Sequence, residues 1–273
     1  MSTTWGAAAV GREQPAAAGW WGPVWSRAHP RSVVELLRDG TLDAATAAVL
    51  WTVIATRSSL IVAAGPSGAG KTTVLTALLD CLPPASERIY LRGRYESFAW
   101  EEGAEAAKSV LLVNEISPHL PIYLWDGGVR RLIDAADRGF QVLATAHATT
   151  VEELAFSLAG YPTRIRTPDL AALGVVAFLD ARVEGDVVER RVRRVVALTR
   201  SADGRGLEAT VLVERGAVDV PRVMAWLGLR GDLRSPAAIA DDRERRRAWL
   251  EDYGAGEEDG SPAAVRRAIA GWR

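Results

Sequence analysis

Near-continuous apolar runs alternate along this chain with stretches whose apolar positions recur at helical spacing. Leu60 to Ala64, Val110 to Val113 and Gln141 to Thr145 are runs of strand length with little polar interruption, the pattern of strands buried on both faces of a parallel sheet. A more polar run, Arg88 to Leu91, reads as a further strand. Amphipathic segments lie between them. Thr72 to Leu79 carries Val74, Leu75, Leu78 and Leu79 on one face, Gly128 to Arg138 carries Val129, Leu132, Ile133 and Ala136, and Val151 to Ala159 follows. Upstream, Ser32 to Arg38 predicts a helix ended by Asp39-Gly40, and Leu42 to Thr56 a second helix, apolar on most faces. Arg92 to Lys108 is polar, with one short helix expected, and Pro118 and Pro121 break the segment after Val113. Strands that alternate with helices predict a parallel sheet covered on both faces, with the 60–64 strand central.

The pattern changes after residue 174. Val175 to Ala181, Arg191 to Thr199 and Glu208 to Glu214 are strand candidates separated by Gly185-Asp186 and Asp203-Gly204, which predicts antiparallel pairing at one sheet edge. Val220 to Leu227 reads as a helix, with further helical pieces near 241–252 and 262–269. The expected organisation is a tail over 1–31 bearing Trp5, Trp20, Trp21 and Trp25, one domain over 32–231, and a charged helical tail over 232–273. The tail tryptophans are expected to dock on their own domain or on a partner.

Composition narrows the class. Of 273 residues, 48% are hydrophobic and 25% charged, ordinary for a globular chain with a real core. The formal net charge of −1 argues against a dedicated nucleic-acid surface. Arg190, Arg191, Arg193 and Arg194 are the best basic stretch, but strand alternation divides them between two faces. Lys71 and Lys108 are the only lysines. A single cysteine, Cys81, excludes an intrachain disulfide and fits a reducing interior. No uncharged run reaches the roughly 20 residues of a bilayer span, and the N-terminus does not read as a signal peptide. A cytoplasmic location without direct membrane insertion is expected.

The chemistry is carried by Gly65-Pro66-Ser67-Gly68-Ala69-Gly70-Lys71-Thr72-Thr73, which matches G-x-x-x-x-G-K-[ST] between a predicted strand and a predicted helix. Glycines let backbone N–H groups converge on phosphate oxygens at a helix N-terminus. Lys71 would neutralise phosphate charge and the Thr72 hydroxyl would ligate Mg²⁺. The loop therefore predicts binding of a nucleotide, ATP with Mg²⁺. Glu115 directly follows a buried strand, where a carboxylate faces the nucleotide crevice and serves Mg²⁺ and the attacking water. His147 ends the next strand in the same way, placed to contact a γ-phosphate.

These residues resemble a family. Gly40-Thr41-Leu42, Leu50-Trp51, the Ile61 strand, Gly65–Thr73, Asn114-Glu115-Ile116 and Ala144 through Leu154 look like the secretion ATPases of type II and type IV secretion systems and type IV pili, nearest the branch of conjugation, Tad-pilus and archaellum motors. The likeness covers roughly residues 32 to 160. It implies a RecA-like P-loop NTPase fold, mostly parallel with an antiparallel edge and helical appendages at both ends. It further implies Mg-ATP hydrolysis, a homo-oligomer of six copies and a secretion or pilus partner. By resemblance His147 is the second histidine of the family's histidine box, and Glu96 is the acid that closes its Asp box and acts as catalytic base. The chain departs from the pattern at Arg92-Gly93-Arg94-Tyr95-Glu96, where consecutive acids are usual, and at Phe140, where the first histidine is usual. The arginine-bearing helix has no room between Glu96 and Val110, and residues 1–31 offer no counterpart of the family's N-terminal domain. These losses leave open a reading from another class, a nucleotide-sensing regulator or scaffold with little turnover.

Overall fold

The computed structural model describes residues 30–65, 68–184, 187–229 and 235–272. The expected tryptophan-bearing head lies almost wholly outside them, as do Pro66 and Ser67. Helix α1 (Val33–Arg38) begins with a reciprocal capping box, Ser32 accepting from the Glu35 N–H while the Glu35 carboxylate accepts from the Ser32 N–H. Helix α2 (Ala44–Ala55) starts at the Asp43 cap and delivers the chain to β1 (Leu60–Ala63). Then follow α3 (Lys71–Leu78), β2 (Glu87–Leu91), β3 (Ser109–Ile116), α4 (Gly127–Asp137), β4 (Gln141–Ala146) and α5 (Val151–Ala159). The second half contains β5 (Val175–Glu184), β6 (Val187–Arg200), β7 (Leu207–Glu214), the short β8 (Ala217–Val218), α6 (Val220–Leu229), α7 (Pro236–Ala255) and α8 (Pro262–Ala270).

The strands form one eight-stranded sheet in the order β2-β3-β4-β1-β5-β6-β7-β8. Pairings among β2, β3, β4, β1 and β5 are parallel, and those from β5 to β8 are antiparallel. The central place of β1 and the antiparallel edge after residue 174 agree with the sequence expectation. Alternation along the buried strands supplies both sheet faces. Leu60, Val62, Leu112 and Leu143 pack into one cluster with α1, α2, α3, α6, α7 and α8, whereas Ile61, Ala63, Leu111 and Val142 pack into the other with α4 and α5. The polar Arg92–Lys108 stretch holds two short 3-10 turns, Gly93–Tyr95 and Ala99–Glu102, where one helix was expected.

Helices α7 and α8, within the 232–273 stretch expected as a charged helical tail, pack onto the domain. Ile239, Leu250, Val265 and Ile269 join the core cluster that contains α2. Trp51 of α2 meets Trp249 and Trp272, with ring centroids 5.7 and 5.2 Å away. The charge that suggested a tail is partly internal: Arg246 reaches Asp242 at 2.7 Å, and both side chains are under 10% exposed. Paired charges can be buried one turn apart on a helix where single ones cannot. Among the described residues, no helix is long and apolar enough to cross a membrane.

Candidate nucleotide site

Two strand ends and one loop build the site. After β1, Gly65 is confined by the chain beyond β4, since a Cβ there would lie 2.7 Å from Thr149 Cγ2. Gly70 has φ +99°, in the left-handed region that favours glycine, and caps α3. No described side chain caps that end, so the first N–H groups of α3 remain available to an anion. The loop borders a cleft of about 620 Å³ that also touches Glu115, Tyr123 and Arg190, within the usual range for small-molecule sites.

The ladder between β3 and β4 shifts register between Val113 and Ile116. Such an irregularity re-aims side chains, and here it falls at Asn114-Glu115. The backbone there is fixed from both sides. Thr145 Oγ1 donates to the Asn114 carbonyl at 2.6 Å, and the Leu124 N–H donates to the Glu115 carbonyl at 2.8 Å. Glu115, 6% exposed, then points toward the glycine loop, with Oε2 3.6 Å from Lys71 Nζ. Burial pushes the Lys71 ammonium below the ordinary lysine range, opposed by the attraction of Glu115. Burial, with the Glu115 charge adding to it, pushes the Tyr123 phenol up.

His147 follows β4. Its Nδ1 lies 3.1 Å from the Gly65 carbonyl and its Nε2 3.0 Å from Glu115 Oε1. No donor among the described residues is aligned on that oxygen. The three elements named by the sequence, glycine loop, Glu115 and His147, are therefore brought together. Glu96 is not. Its two carboxylate oxygens accept from the backbone N–H groups of Arg92 at 2.7 Å and Phe98 at 2.9 Å, clamping its own loop, and it does not line the cleft.

Two residues at the site were not expected there from the sequence, where Arg190 stood out only as part of a basic stretch. Arg190, on β6, passes over the loop so closely that a Cβ on Gly70 would meet its Cδ at 3.0 Å. His119 stands against His147, ring centroids 5.0 Å apart. Only the β5–β6 hairpin brings Arg190 back across about 120 residues of sequence. His119 sits in a proline-flanked loop with no periodicity to mark it.

In the sheet, β4 separates the glycine-loop strand β1 from the carboxylate strand β3, the arrangement of RecA-like P-loop folds. Fold and loop together define a P-loop NTPase architecture. No protein-family model matches the chain, and no curated protein matches it in sequence. Solved structures that it resembles include secretion ATPases. The VirB11 ATPase of the Brucella suis type IV secretion system, in complex with sulphate, aligns with 19% identity and TM-score 0.34 over 66% of this chain and 53% of its own. The ATPase DotB of Legionella pneumophila aligns with 16% identity and TM-score 0.32 over 80% and 62%. DotB of Yersinia pseudotuberculosis aligns with 13% identity and TM-score 0.36 over 82% and 60%. The chain thus spans between about half and just under two thirds of these proteins' length. The assignment of class rests on the chain's own strand order and loop.

Proposed function

We propose that this chain binds Mg-ATP in the cleft and hydrolyses it to drive conformational work on a protein partner. The observation that carries the reading is the buried Lys71–Glu115 pair, 3.6 Å apart, at the uncapped start of α3. A lysine held below its ordinary range beside a carboxylate is poised to exchange that partner for phosphate oxygens. Gly65, Pro66, Ser67, Gly68, Ala69, Gly70, Lys71, Thr72 and Thr73 would hold the phosphates. Thr72 and Glu115 would hold Mg²⁺, which neutralises phosphate charge when bound. A hydroxyl and a buried carboxylate oxygen with no aligned donor are the hard oxygen ligands that ion takes.

Glu115 would orient the attacking water, and His147, tied to the Gly65 carbonyl, would report the γ-phosphate to the loop. Arg190 would add positive charge from within the same chain, a part that the resemblance assigned to a lost helix. Self-association, in six copies, and work with a membrane-associated secretion or pilus component follow from the resemblance, with the chain on the cytoplasmic side.

One observation favours a second reading. Glu96, the base by resemblance, is tied to its own loop, as in a nucleotide sensor with little turnover. Phosphate release measured against protein concentration tests the proposal. A rate per chain that rises with concentration supports an associating ATPase, and a flat zero with intact binding supports the sensor.

A further inference from the structure

Glu115, His119 and His147 each offer one ligand atom, and these atoms lie within 4.8 Å of one another. The Nδ1 atoms of both histidines have partners on the protein. The Nδ1 of His147 faces the Gly65 carbonyl at 3.1 Å, and a carbonyl can only accept, so that nitrogen carries the proton. The Nδ1 of His119 lies 2.7 Å from Ser117 Oγ, which also accepts the His119 backbone N–H. An Nδ1–H bonded to a protein oxygen, with Nε2 left as the ligand atom, is the usual posture of a metal-ligating histidine; His147 has it, and at His119 the Ser117 hydroxyl is able to accept the same proton.

The third member supplies the independent sign. Glu115 Oε1 is buried, has no aligned donor among the described residues, and stands 3.0 Å from His147 Nε2. A nitrogen and a carboxylate oxygen at this distance share either a proton or a metal cation, and among the described residues no hydrogen bond is aligned on the oxygen. Two ligand atoms each about 2.0–2.2 Å from one ion, subtending roughly a right angle, are separated by this much. Two imidazoles and one carboxylate with further positions open form the 2-His-1-carboxylate donor set of first-row transition metals; Mg²⁺, which prefers oxygen throughout, is poorly served by it.

We infer that Glu115, His119 and His147 form a binding site for a first-row transition-metal dication beside the glycine loop. The site shares Glu115 with the nucleotide reading but does not depend on it. A bound ion on Oε1 would neutralise the Glu115 charge and weaken its pull on Lys71 from Oε2, leaving that lysine freer to meet an anion. It would also take Glu115 from any Mg²⁺ sharing the cleft, so the two ions compete for one carboxylate.

Co²⁺ alone, titrated into the untagged full chain without nucleotide and followed by its visible d–d absorption, tests this. The expected result is saturation at one equivalent, displacement by Zn²⁺, and weakening of at least tenfold in both His119→Ala and His147→Ala. His119→Gln, which keeps a polar side chain in the loop, serves as the second variant if His119→Ala does not fold. No saturable absorption, or binding unchanged by loss of His119, overturns the inference. Mg-ATP is added to the same preparation in a thermal-shift assay. A shift without Co²⁺ binding removes the metal site alone, and Co²⁺ binding without a shift removes the nucleotide reading alone.

Discussion

Lys71 Nζ lies 3.6 Å from Glu115 Oε2, both side chains under 10% exposed, although one opens helix α3 and the other lies near the end of strand β3. Their electrostatics are unequal. The balance at Lys71 remains unfavourable to its charge even with Glu115 beside it, because desolvation outweighs the attraction. Glu115→Gln, which removes the attraction and keeps the desolvation, should destabilise the nucleotide-free protein by on the order of 2 kcal/mol. Adding Lys71→Met should recover most of the loss. Chemical denaturation of the parent, Glu115→Gln and the double variant gives the comparison. Equal stability of the single and double variants would show that the lysine charge is not strained.

The same imbalance sets a pH dependence. A lysine whose folded pKa is lowered binds protons more weakly than in the unfolded chain. In the window between that lowered value and the ordinary 10.5, the unfolded state holds more protons, so this group makes stability rise with pH. Below the window its cost is constant. Lys71→Met should therefore be at least as stable as the parent at pH 7, and its advantage should shrink as pH approaches 10. Urea midpoints at several pH values check this, and a gap that does not narrow contradicts it.

At the level of turnover, Glu115→Gln should retain ATP affinity while hydrolysis falls on the order of a hundredfold or more, the signature of a group used in the transition state. His147→Ala should narrow the difference in affinity between ATP and ADP. Because both Glu96 oxygens hold backbone N–H groups, Glu96→Gln should leave turnover within a fewfold. A hundredfold fall there would restore the catalytic part that the resemblance gives it.

Arg190→Ala should weaken nucleotide binding by about tenfold, the worth of one charge-assisted contact of roughly 1.4 kcal/mol. Fluorescence titration with a labelled nucleotide measures it, and an unchanged affinity would remove Arg190 from the site. Asp242→Ala should cost about 3 kcal/mol by leaving Arg246 buried against Trp51, 5.1 Å from the ring centroid, without its carboxylate. A melting temperature within a degree of the parent's would show that Arg246 does not need that carboxylate to stay buried against Trp51.

The parallel half of the sheet was legible because strands buried on both faces leave little room for polar residues, as Leu60 to Ala63 and Val110 to Val113 show. Glu115 and His147 were legible because each stands at the end of such a run, and Lys71 because the glycine motif fixes it at the start of the following helix. Arg190 and His119 were not, since their positions depend on a hairpin and a loop returning over the site rather than on local pattern. The C-terminal helices misled for a related reason. Charge in α7 reads as exposure until Arg246 is seen against Asp242 and Trp51. At Glu96 the motif position survives while the carboxylate accepts from N–H groups of its own loop, which no local pattern announced.

The central claim is that the glycine loop holds nucleotide phosphate through Lys71. Its most direct measurement is the equilibrium affinity of the full chain for Mg-ATP, by calorimetric titration of the parent and of Lys71→Ala at equal folded fraction. The account predicts saturable binding in the parent and a loss of at least a hundredfold in Lys71→Ala, about 2.7 kcal/mol, with the fold intact. Equal affinity in the two proteins, or no binding in the parent, would contradict it.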